Sequence, residues 1–134
     1  MKDNTFIYRI NIKKKTVSKE KVKSTYRLQG GRSLTSRILL DELDPSCEPL
    51  GQKNKLIIAP GLLGGTSAPC SGRLSIGGKS PLTGGIKESN SGGTAAIKLA
   101  KLGIKAIIIE DIPEENEWYS IKIGFNKIEI ITEK

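Results

Sequence analysis

Asn90-Ser91-Gly92-Gly93-Thr94-Ala95-Ala96-Ile97-Lys98-Leu99-Ala100-Lys101-Leu102 runs from a glycine pair into a helical pattern, and Gly103 stops it. Ala106-Ile107-Ile108-Ile109-Glu110 follows at once. The first stretch predicts a helix over Thr94 to Leu102, ended by a glycine that can take the left-handed conformation. The second is too short for a helix and continuous in isoleucine, so it predicts a buried strand. Downstream, Trp118 to Ile123 and Lys127 to Ile131 read as two more strands, turning at Gly124-Phe125-Asn126. Between them and the buried strand, the acidic run Glu110-Asp111, Glu114-Glu115 and Glu117 reads as a solvated loop rather than paired carboxylates. Trp118 is expected to pack at the core or at a sheet edge.

Upstream the pattern is again strand and helix. Leu56-Ile57-Ile58, within Asn54 to Ala59, is a second buried-strand run. Leu34, Ile38, Leu39 and Leu43 recur at helical spacing from Ser33 to Leu43, after a break at Gly30-Gly31 and before a stop at Asp44-Pro45. Phe6, Tyr8, Ile10 and Ile12 alternate with Ile7, Arg9, Asn11 and Lys13, which predicts a strand with one apolar face. Lys13 to Lys15 is expected to turn, and Thr16 to Tyr26 to return as an exposed strand. Lysines on an edge strand deter edge-to-edge aggregation, a simpler reading than a binding role. Strands dominate and about two helices accompany them. The fold class is α+β, with a strand-rich mixed sheet.

Composition narrows what this single domain of 134 residues can do. With 37% apolar and 27% charged residues it suits a globular protein that buries a core. The net charge of +8 admits nucleic acid, an acidic membrane surface or a phosphorylated ligand as partner. No stretch has the length of a membrane span, and Met1-Lys2-Asp3-Asn4 carries no apolar leader, so a cytoplasmic location is expected and a membrane partner is not. Zero histidines and two cysteines exclude a conventional zinc set, a four-thiolate iron–sulfur cluster and a disulfide framework. Cys70 is read as a small filler, and Cys47 receives no role.

The most unusual segment is Pro60 to Gly93, which holds most of the chain's 15 glycines. It predicts a long loop whose only strand-like piece is Arg73 to Gly77. Glycine costs backbone entropy on folding, so such density needs a reason. Tight turns explain some of it, and a flexible linker would be more polar than one carrying Leu62-Leu63. The third reason is close approach of bare backbone to a ligand. Gly92-Gly93-Thr94 opens a helix, whose free N–H groups and positive dipole end suit an anion. Arg73 and Lys79 could add side-chain cations. The spacing matches neither the GxxxxGK[ST] nor the GxGxxG phosphate loop, so a nucleotide is not the natural ligand.

Taken in order, Gly30-Gly31-Arg32, Leu43-Asp44-Pro45, Asn54 to Ala59, Gly65-Thr66-Ser67-Ala68-Pro69 and Gly72-Arg73 resemble the opening of the aldehyde ferredoxin oxidoreductase family. Lys79-Ser80-Pro81-Leu82-Thr83-Gly84, Asn90-Ser91-Gly92-Gly93 and the following helix and strand extend the resemblance over nearly the whole chain. Ser33 and Leu74 depart from the common pattern. The resemblance implies an N-terminal, strand-rich domain cradling a tungsten or molybdenum bis-pterin cofactor, expected to be incomplete over residues 1–134. It implies Arg73 at a pterin phosphate, Asn90, Ser91, Gly92 and Gly93 beside the phosphates, and Asn90 near a magnesium ion bridging the pterins. Lys79 is an electrostatic addition to that set.

The catalytic domains and the 4Fe-4S cluster, which passes electrons to ferredoxin, are expected in later domains or a separate subunit. The complete enzyme would turn an aldehyde and water into a carboxylic acid. This chain alone is expected to be inactive and able to self-associate. The alternatives are a basic module for RNA or another polyanion, which the few aromatics and missing RNA-binding signatures disfavour, and a non-catalytic scaffold of the same fold.

Overall fold

The computed structural model describes residues 4–114 and 116–133. Met1 to Asp3, Glu115 of the acidic run and Lys134 lie outside them. Six strands form one mixed sheet: β1 (Phe6–Asn11), β2 (Thr16–Lys21), β3 (Lys55–Pro60), β4 (Leu74–Lys79), β5 (Ile86–Ser91) and β6 (Ile104–Glu110). Their order across the sheet is β2-β1-β6-β3-β4-β5. Only β1 and β6 run parallel among these neighbours. Helix α1 (Gly31–Glu42) links the first hairpin to β3, after a single 3-10 turn at Ser24–Tyr26, and α2 (Ala95–Lys101) links β5 to β6. A separate hairpin, β7 (Trp118–Gly124) and β8 (Lys127–Glu133), closes the described chain.

The two faces of the large sheet carry two cores. Against α1, Leu34, Ile38 and Leu39 meet Ile7, Ile57, Ala59, Ala106 and Ile108. On the opposite face, Leu99 of α2 and Ile128 of β8 meet Tyr8, Ile10, Ile104 and Ile107. The isoleucine run of β6 is continuous because both of its faces are covered. The same holds for β1, and this corrects the expectation of one apolar face: Ile7 faces α1 while Tyr8 and Ile10 face the hairpin. Arg9 is the polar member of the α1 side.

Other expectations shift in register or kind. The second strand ends at Lys21 and gives way to the 3-10 turn. Pro60 to Gly93 is not one long loop, since β4 and β5 form an antiparallel hairpin within it, pairing Leu74 with Ser91 and Lys79 with Ile86. Helix α1 begins two residues early, at Gly31, and α2 has only 7 residues. Of the two places expected for Trp118 it takes the sheet edge and not the core, opening β7 of the two-stranded hairpin with 80% exposure. Glu110 does not belong to a solvated loop: its carboxylate lies 3.1 Å from Arg9 Nη1 and 2.5 Å from Lys55 Nζ. Two of the N-terminal lysines are paired with the acidic segment, Lys13 to Glu114 at 3.0 Å and Lys15 to Glu117 at 3.3 Å.

Candidate functional site

The glycine pair before α1 sets the site. A Cβ on Gly30 would stand 2.3 Å from Leu62 N, so the start of the helix lies against bare backbone leaving β3. Gly31 has φ +54°, in the left-handed region that side-chain-bearing residues avoid. Together they aim the first turn of α1 at the Arg73 end of β4 and the Asn90 end of β5. Between them lies an open groove of about 590 Å³ lined by Gly31, Arg32, Ser33, Ser36, Arg73 and Asn90, among others. The N-cap residue of α1 is Gly30, which has no side chain to cap it, so among the described residues the groove faces a helix N-terminus without a side-chain cap.

The side chains at the groove form one network. Ser75 pairs with Asn90 across the β4–β5 ladder. Asn90 Nδ2 donates to Ser75 Oγ at 3.1 Å and to Glu88 Oε1 at 3.3 Å. Arg73 Nε donates to Asn90 Oδ1. Arg32 Nε donates to Glu88 Oε2 at 3.3 Å. The Ser75 hydroxyl, then Asn90 and Arg32, hold the Glu88 carboxyl below the usual carboxylate range. Glu88 is thus an anion at neutral pH and an acceptor only. Arg32 stays 74% exposed, so its guanidinium retains donors toward solvent and the groove.

Arg73 and Asn90, singled out in the sequence, therefore meet. Gly92 lies beside them, since a Cβ there would stand 3.7 Å from Arg73 Nη1. Ser91 turns its hydroxyl onto the Gly92 carbonyl at 3.2 Å, and Gly93 has open space with φ +98°. The helix end at the groove is that of α1, not the start of the short α2. Lys79 is not in the group: it sits at the far end of β4, where Nζ donates to the Pro45 and Cys47 carbonyls at 2.5 and 2.6 Å. Gly31, Arg32, Ser33, Ser75 and Glu88 were not singled out as site residues in the sequence, although Gly30-Gly31-Arg32 belongs to the family pattern. Gly30-Gly31 reads there as punctuation, and nothing local tells that the helix after it points at residues as distant in the chain as Arg73 and Asn90.

Two arginines, an uncapped helix end and an oriented amide make a groove equipped for an oxyanion such as phosphate. Its fit is to such a group rather than to a bare metal, for among the described residues no three His, Cys, Asp or Glu side chains are placed to hold one.

The fold is an α+β domain, a mixed six-stranded sheet with two helices, that opens a groove at the start of α1. The family model for "Aldehyde ferredoxin oxidoreductase, N-terminal domain" matches residues 7–134, and the chain belongs to that family. Tungsten-containing aldehyde ferredoxin oxidoreductases from Thermococcus kodakarensis and Pyrococcus furiosus are each 47% identical to it over 93 residues, covering 69% of this chain and 15% of theirs. The Pyrococcus horikoshii enzyme of the same description is 42% identical over 106 residues, covering 78% of this chain and 18% of its own. The chain thus spans less than a fifth of the length of these relatives. Among solved structures, a chain of the active-site complex BamBC of benzoyl coenzyme A reductase superposes with TM-score 0.89 at 28% identity, over 96% of this chain and 20% of that one.

Proposed function

We propose that this chain is the cofactor-cradling N-terminal part of a tungsten or molybdenum pterin aldehyde:ferredoxin oxidoreductase. The observation that carries the reading is the convergence of Arg73, Arg32 and Asn90 on the uncapped start of α1. Arg73 and Arg32 would hold a pterin phosphate by charge-assisted hydrogen bonds, and the α1 N–H groups would donate to its remaining oxygens. Ser91, Gly92 and Gly93 would let the cofactor approach the backbone beside Arg73. A magnesium ion next to Asn90 would compete with Arg73 for the same Oδ1. Lys79, held by two carbonyls, has no part in this reading. When bound, the metal–pterin group would supply the two-electron exchange with an aldehyde. Later domains or another subunit would supply the 4Fe-4S cluster and the contact with ferredoxin.

The test uses the complete assembly that contains this chain. Arg73→Ala should lower tungsten or molybdenum and pterin content per protein by about tenfold, as expected for loss of a hydrogen-bonded charge. Metal analysis and pterin fluorescence read this without reference to turnover. Full cofactor content in the variant would overturn the reading.

A further inference from the structure

We propose that Glu88 is a positioning residue of the groove, holding the Asn90 amide so that its carbonyl oxygen, rather than its NH2, meets Arg73. The inference deepens the phosphate reading of the same groove and rests on it. An amide has two ends of opposite hydrogen-bonding character that differ little in shape, so its polarity must be set by its neighbours. Asn90 has a donor-only neighbour on one side, Arg73, and an acceptor-only neighbour on the other, Glu88. Only one orientation satisfies both. The 3.1 Å bond to Ser75 Oγ is compatible with it, because a hydroxyl oxygen can accept from Nδ2.

The carboxylate also bonds Arg32, so one side chain on β5 orders both a cation from α1 and the amide partner of Arg73, the cation just before β4. It can do so because it is itself held: the side chain is 11% exposed, and its strand is tied to β4 from Leu74 to Lys79. A negative charge here would by charge alone oppose an incoming anion. Its benefit must then lie in order: without Glu88 the amide can invert, Arg73 loses its fixed partner, and Arg32 is left to wander in solvent.

Charge and order predict opposite signs, which makes the idea testable with inorganic pyrophosphate as probe on the full chain. Binding is measured by calorimetry, with thermal melts to verify folding. Positioning predicts that Glu88→Ala weakens pyrophosphate binding by about three- to tenfold, the loss of one or two hydrogen bonds. Glu88→Gln, which keeps an acceptor but no charge, should bind within about twofold of the parent. Tighter binding by Glu88→Ala, with Arg73→Ala still weakened, would overturn the positioning role and leave the phosphate reading standing.

If pyrophosphate ignores both the parent and Arg73→Ala, the phosphate reading fails, and a ligand-free measurement decides the positioning role. The Asn90 side-chain NH2 should exchange slowly in the parent and in Glu88→Gln, and fast in Glu88→Ala. An Asn90 amide indifferent to Glu88→Ala would sink the proposal.

Discussion

A Cβ placed on Gly77 would stand 2.8 Å from Thr35 Cβ, so α1 rests directly on the backbone of β4. Thr35 is fully buried and Leu39 Cδ1 lies 3.6 Å from the same point, which leaves neither side chain room to retreat. This contact sets the height of α1 over the sheet and therefore the width of the groove at its N-terminal end. Gly77→Ala should cost about 1–3 kcal/mol by overpacking. Gly85→Ala, in the β4–β5 turn with Thr83 Oγ1 3.7 Å away, should stay within about 0.5 kcal/mol of the parent. Urea midpoints compare the two. Equal effects would show that α1 can lift off the sheet without loss.

The sequence made the core legible and the groove only half so. Leu34, Ile38 and Leu39 announce α1, and the isoleucines of β3 and β6 announce buried strands, because burial leaves a period in the chain. Strand β5 left none. Ile86-Lys87-Glu88-Ser89-Asn90-Ser91 lies at a sheet edge with mostly exposed residues, so its strand conformation comes from pairing with β4 rather than from alternation. Arg73 and Asn90 were recoverable as members of a recognisable pattern. That Arg32 and Glu88 join them depends on how α1 crosses β4, and crossing geometry has no local sequence code. Lys79 shows the converse: a cation close in sequence to Arg73 lies at the far end of β4, the strand that Arg73 only precedes.

Arg9 is the hub of a partly buried charge network. It meets Glu20 and Glu42 at 2.9 Å each and Glu110 at 3.1 Å, and Lys55 approaches Glu42 and Glu110. Arg9→Met would take the shared guanidinium from Glu20, Glu42 and Glu110, leaving Lys55 beside only the last two. The cost should be about 2–3 kcal/mol, below the ~3–5 kcal/mol of a fully buried pair broken on one side. Thermal or urea unfolding at neutral pH measures it. A variant as stable as its parent would mean that solvent already screens the cluster.

The same network gives an acid limb. Burial pushes the Glu42 carboxyl up, but the hydrogen bonds and charge of Arg9, with Lys55 behind them, hold it below its ordinary value of 4.5. A depressed carboxyl stabilises the fold above the unfolded-state pKa, and the contribution disappears as pH falls from 4.5 through the folded value. Stability should therefore decline below about pH 4.5, more steeply in the parent than in Glu42→Gln. Parallel acid limbs in the two proteins would remove Glu42 from the account.

Tyr26 gives the alkaline counterpart. Burial first, then the 2.8 Å hydrogen bond its hydroxyl donates to Asp41, push its pKa up to about 12 from 10.0. A raised pKa contributes stability that is complete below pH 10 and lost as pH rises toward 12. The loss should amount to about 2–3 kcal/mol across that window. Tyr26→Phe should flatten the limb and remove the late-titrating component of tyrosinate absorbance. A Tyr26→Phe protein with an unchanged alkaline limb would place the titrating group elsewhere.

Lys79 has a structural task that can be read through a neighbouring thiol. Its Nζ donates to the carbonyls of Pro45 and Cys47, and its backbone N and O both bond the side chain of Asn54. The connection from α1 to β3 is thereby tied to the end of β4, with Cys47 buried beneath it. Lys79→Met would leave the two carbonyls without their ammonium, costing about 1 kcal/mol and loosening the connection locally. In a Cys70→Ser background, which removes the exposed thiol, Cys47 should react with a thiol reagent about fivefold faster once Lys79 is replaced, the ratio that ~1 kcal/mol gives for a local opening. Pyrophosphate affinity should not change, because the groove lies at the opposite end of β4. A fall in that affinity with Cys47 still protected would mean that Lys79 reaches the anion after all, as its place in the sequence first suggested.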